Sequence, residues 1–238
     1  MIKYIKDTYD NLKGKKRVYM LTDKQIVWAI HQMEAEIGPV KRGLDSRTSF
    51  QYLISVILSA QATDVSVNKV TPVLFAKYPD PKALMNADVE DVEAIIRHVG
   101  LFHNKAKNII KTAGIVHEEL NDVIPTDRKG IMMLPGAGRK TANLVLSDLF
   151  DQPTFAVDTH VSAISKRLHF VASSATTLQV EQKIVSALKP AELYQAHHTM
   201  IEFGRKYSMK LTPDKEVSQL ILDCDRLNEE NEAHLSQA

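Results

Sequence analysis

The 238-residue sequence predicts an all-α fold. Three observations lead there. Strand-like alternation is nearly absent, apolar residues recur three and four positions apart, and Thr or Asp stands where helices should start. Hydrophobic residues make up 44% and charged residues 25%, enough to bury a substantial core without covalent staples.

The elements follow in order. Residues 1–21 read as a basic arm, in which Lys3, Lys6, Lys13, Lys15, Lys16 and Arg17 outnumber Asp7 and Asp10. Such an arm is either a solvated terminus or a phosphate contact. Thr22 and Gln25 form a capping-box pair, and Ile26, Ile30, Met33 and Ile37 follow at helical spacing until Gly38-Pro39. Thr48 and Gln51 make a second box. The helix behind it carries Phe50, Leu53, Ile54, Ile57 and Leu58, apolar over most of its girth and so central. Asp64 is placed to cap a helix through Val67, Val70 and Leu74 to Tyr78, which Pro79 and Pro81 break. Asp88 opens a helix ending at Gly100. Another runs from about Asn104 to Leu120, closed by Pro125. Helical signals continue after Asp127, Arg139, Thr159, Leu178 and Ala191. The tail after Asp223 is acidic, lacks apolar periodicity beyond Leu227, and is expected to fray.

A formal net charge of +1 provides no global field, so any grip on a polyanion must come from local patches and backbone groups. The single cysteine, Cys224, excludes an intrachain disulfide and a four-cysteine metal or cluster site. Met1–Leu12 mixes charged and apolar residues, unlike a signal peptide. The apolar run Tyr52–Ala60 is interrupted by Ser55 and Ser59 and falls far short of a membrane span. The chain reads as soluble and intracellular.

The most informative stretch is Leu134-Pro135-Gly136-Ala137-Gly138-Arg139-Lys140-Thr141-Ala142, ahead of a helix from Asn143 to Phe150. Two glycines bracket one small residue between helices. Glycine serves where φ is positive or where the backbone must approach a partner closely. The turn exposes N–H groups at a helix start, where the helix dipole favours an anion such as a phosphate. By itself, a Gly-x-Gly turn is also an ordinary helix connector.

The longer pattern resembles the helix-hairpin-helix motif of the endonuclease III family, and Val157-Asp158-Thr159-His160 follows at the distance expected there. Leu58-Ser59-Ala60-Gln61-Ala62-Thr63-Asp64 and Val99-Gly100-Leu101 are also similar to that family, so the resemblance spans roughly Thr22 to Ser208. It implies two helical domains with a DNA-binding cleft between them. Residues 43–154 would form a bundle carrying the hairpin, and residues 22–42 plus 155–238 the other domain. It further implies base-excision repair: removal of oxidised pyrimidines, then nicking at the abasic site.

Site roles come with the resemblance. Lys140 would be the nucleophile attacking C1′, and Asp158 the carboxylate that stabilises developing positive charge. Lys140 would lie in a helix's first turn, and a partly dry pocket would favour its neutral amine. Asp158 also reads as a helix N-cap, and both roles can hold together. Gln61 and Leu101 would fill the gap left by a flipped nucleotide. Taken singly, they read as a loop amide and the apolar contact of a helix C-cap. Gly136, Gly138, Arg139, Thr141 and His160 would contact DNA, although His160 reads equally as a partly buried, satisfied histidine.

The family's iron–sulfur ligand positions fall on Ser208, Lys215, Ser218 and Cys224, so no cluster and no other cofactor is expected. Val217, Leu220, Ile221 and Leu222 suggest apolar packing in its stead. His197-His198 lacks ligand spacing and a third donor, so no metal is assigned there. The expected partner is double-stranded DNA with a damaged base or an abasic site. No membrane is involved, the protein is expected to be a monomer, and its place is the cytoplasm, at the nucleoid. The alternative is a catalytically weak or inactive DNA-binding helix-hairpin-helix protein.

Overall fold

The computed structural model describes residues 20–207 and 219–235. Most of the basic arm and the loop carrying Ser208, Lys210, Lys215, Val217 and Ser218 lie outside the described residues. Twelve α-helices and no strand occur among those described. They are α1 Asp23–Ile37, α2 Ser49–Ser59, α3 Asp64–Lys77, α4 Pro81–Met85, α5 Val89–Ile96 and α6 Phe102–Glu118. Then come α7 Arg128–Met132, α8 Arg139–Phe150, α9 Thr159–Arg167, α10 Thr177–Ala187, α11 Leu193–Tyr207 and α12 Gln219–Leu235. None is long and apolar enough to cross a membrane.

Helix α1 starts as its sequence dictates. Thr22 caps Gln25, whose side chain returns to the Thr22 N–H at 2.9 Å. Gly38 ends it with φ 78. At α2 the box is only half made. Thr48 accepts from the Gln51 N–H at 3.2 Å, but Gln51 Oε1 takes the Arg47 N–H and its Nε2 donates to the Pro79 carbonyl. The amide is spent tying the chain entering α2 to the end of α3. Asp64 does not cap α3. Thr63, one residue earlier and extended, accepts from the Ser66 N–H at 3.1 Å, which frees Asp64 to pair with Arg205.

The helix opened by Asp88 stops at Ile96, short of Gly100, and the next begins at Phe102. Between them the backbone turns sharply, because Leu101 holds the left-handed conformation at φ 61. The expected frayed tail is instead α12. Leu220 and Cys224 are buried, Arg167 grips Asp225 through two bonds of 2.6 and 2.9 Å, and Asn231 bonds Gln25. Anchors on one face hold a helix that lacks apolar periodicity further on. Leu222 is exposed and takes no part in that packing.

Buried apolar side chains fall into two clusters. One draws on α2 through α8, from Leu44 to Leu146, with α2 at its centre. The other joins Leu21, Ile26, Ala29, Ile30 and Met33 to residues from Phe155 to Cys224. The chain crosses between them after α8, where buried Asn143 donates to the Phe155 carbonyl at 2.8 Å.

Candidate active site

The hairpin turn is seated by packing. At Gly136, φ is 82, and a Cβ there would stand 2.9 Å from Ile57 on α2 and 3.1 Å from the Asn108 amide on α6. Both the backbone and the close approach therefore demand glycine. Gly138 differs: its φ is −92, and a Cβ would meet nothing within 4 Å. It is the N-cap of α8 without a side-chain cap. The first N–H groups of α8 thus face open space, as an anion site requires.

Lys140 stands in that first turn and is exposed, not enclosed in the dry pocket expected for it. The sequence context of a motif lysine cannot report how open its site is. Thr141 is buried, so it does not present its side chain at this turn. Arg139 is exposed, and its guanidinium forks onto Glu181 of α10 at 2.7 and 2.8 Å, bridging the two clusters.

Asp158 is the N-cap of α9, and one of its oxygens accepts the Val161 N–H at 2.8 Å. Cap and charge coincide in one half-buried carboxylate. His160, also half-buried, packs on α11: a Cβ on Gly204 would lie 3.1 Å from the His160 Cβ. That contact favours its packing role.

Gln61 and Leu101 come together. Gly100 lies against the Gln61 carbonyl, with 3.4 Å to a Cβ built on it. Both residues hold positive φ, 54 and 61, and both are exposed. Leu101 is 58% exposed, and other large apolar side chains of the bundle, Val65, Val73 and Met133 among them, are exposed too.

Behind the site lies a polar cluster that the sequence did not announce. Tyr52 donates to Asp148, whose carboxylate is fully buried, and His198 Nε2 stands 3.5 Å from the other Asp148 oxygen. His197 lies edge-on to Phe155 and against His198. Burial, then the neighbouring His198, push the His197 imidazole down to about 4, and the charges of Asp158 and Lys140 also act on it. Lys140 and Asp158 thus bear on one buried ring from opposite clusters. The one available signal was a His-His pair on a helix face that had to be buried. No group of three or more metal-ligating side chains occurs among the described residues.

A helical fold with a Gly-x-Gly helix start, a lysine in the first turn that follows and an aspartate capping a helix of the second cluster defines a class. Residues 54–190 match the family described as HhH-GPD superfamily base excision DNA repair protein. The chain is 39% identical over 202 residues to endonuclease III of Rickettsia conorii, covering 84% of this chain and 96% of that one. It is 45% identical over 163 residues to endonuclease III of Escherichia coli K12, covering 68% and 76%. The fold is similar to that of a trapped endonuclease III–DNA covalent intermediate, with TM-score 0.83 and 40% identity over 89% of this chain and 99% of that one. The chain belongs to the endonuclease III family, base-excision DNA glycosylases with abasic-site lyase activity.

Proposed function

We propose that Lys140 and Asp158 carry this chemistry here, on oxidised pyrimidines in duplex DNA. The observation that bears the reading is Lys140 in the uncapped first turn of α8, with Asp158 fixed by its own cap on the other cluster. Phosphate binds the α8 N–H groups and sets the register. The damaged nucleotide leaves the stack, and Gln61 and Leu101 fill its place. The Lys140 amine attacks C1′ as the C–N bond to the base breaks, and Asp158 stabilises the sugar's positive charge and accepts the lysine's proton. Ring opening gives a Schiff base, and loss of the C2′ proton expels the 3′ phosphate.

The reaction needs no iron–sulfur cluster in this reading. Ser208, Lys215 and Ser218 supply no thiolate at three of the four ligand positions. Cys224 is a buried member of the second apolar cluster, and burial, with Asp225 and Asp223 adding, pushes its thiol up to about 12. With DNA as its substrate, the location this reading assigns is the cytoplasm, at the nucleoid.

Borohydride trapping on duplex DNA with thymine glycol or an abasic site tests the proposal. Wild type should give a covalent adduct and Lys140→Ala none. No adduct from wild type, with DNA still bound, would leave a DNA-binding protein without this chemistry.

A further inference from the structure

A groove of about 860 Å³ runs between α3 and α5, outside the site described above. Its lining includes Thr63, Val65, Lys69 and Val73 on the α3 side and Arg97 and His98 at the end of α5, and no acidic residue. Val65, Lys69 and Val73 recur every four residues, so they form one stripe of α3. Val65 and Val73 are 65% and 58% exposed.

The cations here are uncommitted. Neither Lys69 nor Arg97 has an acidic partner among the described residues, and Arg97 Nε donates only to neighbouring His98 at 3.2 Å. Elsewhere the basic side chains of Lys77, Arg139, Arg167, Lys183, Arg205 and Lys206 are paired with carboxylates. Of the acids on these helices, Asp64 pairs with Arg205, Glu93 with His103, and Asp91 with Lys77 across α3 and α5, and none lines the groove.

Its place in the fold selects the occupant. The hairpin rests on Ile57 of α2 and Asn108 of α6. Following the chain from Ile57 one meets Gln61, then Thr63 at the groove. Following it back from Asn108 one meets Leu101, then His98 at the groove. Both paths run hairpin, wedge, groove along the chain, and Gly100 against the Gln61 carbonyl brings the two wedge residues together. A wedge inserted into a duplex has one strand on each side. The hairpin takes phosphate of the damaged strand, so the groove faces the other.

The geometry points to the groove between α3 and α5 as the seat of the undamaged strand, with Lys69 and Arg97 on its phosphates and Val65 and Val73 against its sugars. This rests on the DNA-repair reading above. It assigns the two strands to two separate surfaces, with the wedge as the divide.

The test is fluorescence anisotropy on a short duplex carrying a tetrahydrofuran abasic analogue, across about 0.05–0.2 M salt. Lys69→Ala with Arg97→Ala should lower the slope of log affinity against log salt by about 2, and weaken binding roughly tenfold or more. Methylphosphonates opposite the lesion should weaken wild type but not the double variant. Methylphosphonates on the damaged strand should weaken both. An unaltered salt slope, or coupling of the double variant to the damaged strand, would overturn the assignment. Schiff-base trapping on the same duplex separates the cases: adduct with an unaltered slope sinks only the groove, whereas no adduct from wild type sinks the underlying reading.

Discussion

In the proposed reaction Asp158 serves two purposes with one carboxylate, cap and charge, and a single substitution separates them. Asn caps a helix as well as Asp does, so Asp158→Asn should keep α9 and its melting temperature. It removes the charge, and single-turnover base release should fall by about 10²–10³-fold, with DNA affinity largely retained. Asp158→Ala should show the same loss and in addition lose about 1 kcal/mol of stability in urea unfolding. His197 makes a second case. Its imidazole, near 6.5 when unfolded, is held at about 4 in the fold by burial and His198. The unfolded chain therefore binds more protons between those values, and stability falls as pH drops from 6.5 towards 4. Urea unfolding at about pH 7 and pH 5 should show a loss on the order of 2 kcal/mol that His197→Gln reduces. The helix starts at Lys140 and Asp158 were legible because each sits in a long motif. His197 was not, because a histidine's surroundings come from distant segments: Phe155, Lys140 and Asp158 all reach it through the tertiary fold.

At the scale of the element, the two hairpin glycines should respond differently. Gly136→Ala forces a side chain onto φ 82 and into Ile57 and Asn108, and should cost about 2–4 kcal/mol in denaturant unfolding. Gly138→Ala meets open space at an ordinary φ, so the fold should survive while affinity for abasic-site duplex drops. The sequence announced the pair and its anion-binding turn, but the distinction between them needed the packed neighbours. Helix starts were readable where a Thr side chain and its partner were both local, as at Thr22. They shifted at Asp64 because Thr63 competed for the cap, and at Gln51 because Pro79 claimed the amide. The left-handed Gln61 and Leu101 escaped such reading altogether. Neither residue type favours positive φ, so nothing local announces the conformation. Helix α12 was missed for a related reason: Asp225 and Asn231 secure it through Arg167 and Gln25, partners far away in sequence.

Across the whole molecule, the two apolar clusters are joined by polar contacts. Arg139–Glu181 links them near the surface, and Asp148–His198 in the interior. Asp148→Ala would leave the Tyr52 hydroxyl and His198 buried without their partner. Thermal and urea unfolding should show a loss of about 3–5 kcal/mol, far more than for an exposed pair such as Lys77–Asp91. The all-α architecture was legible from spacing alone, but this buried link was not, since its three members lie on α2, α8 and α11, each on a helix that is unremarkable by itself.

The second cluster takes its members from both ends of the described chain, with Ile26 and Met33 packed against Phe155 to Cys224. Proteins emerge from the ribosome amino end first, at about 5–20 residues per second. Helix α1 is therefore made early and must wait for its partners, while the contiguous bundle from Leu44 to Leu146 emerges complete in the meantime. Lys140 can be in position on that bundle before Asp158 has anything to lean on. On the proposed reading, the nascent protein thus acquires its hairpin first and its full reactive centre last, when α11 and α12 close over α1.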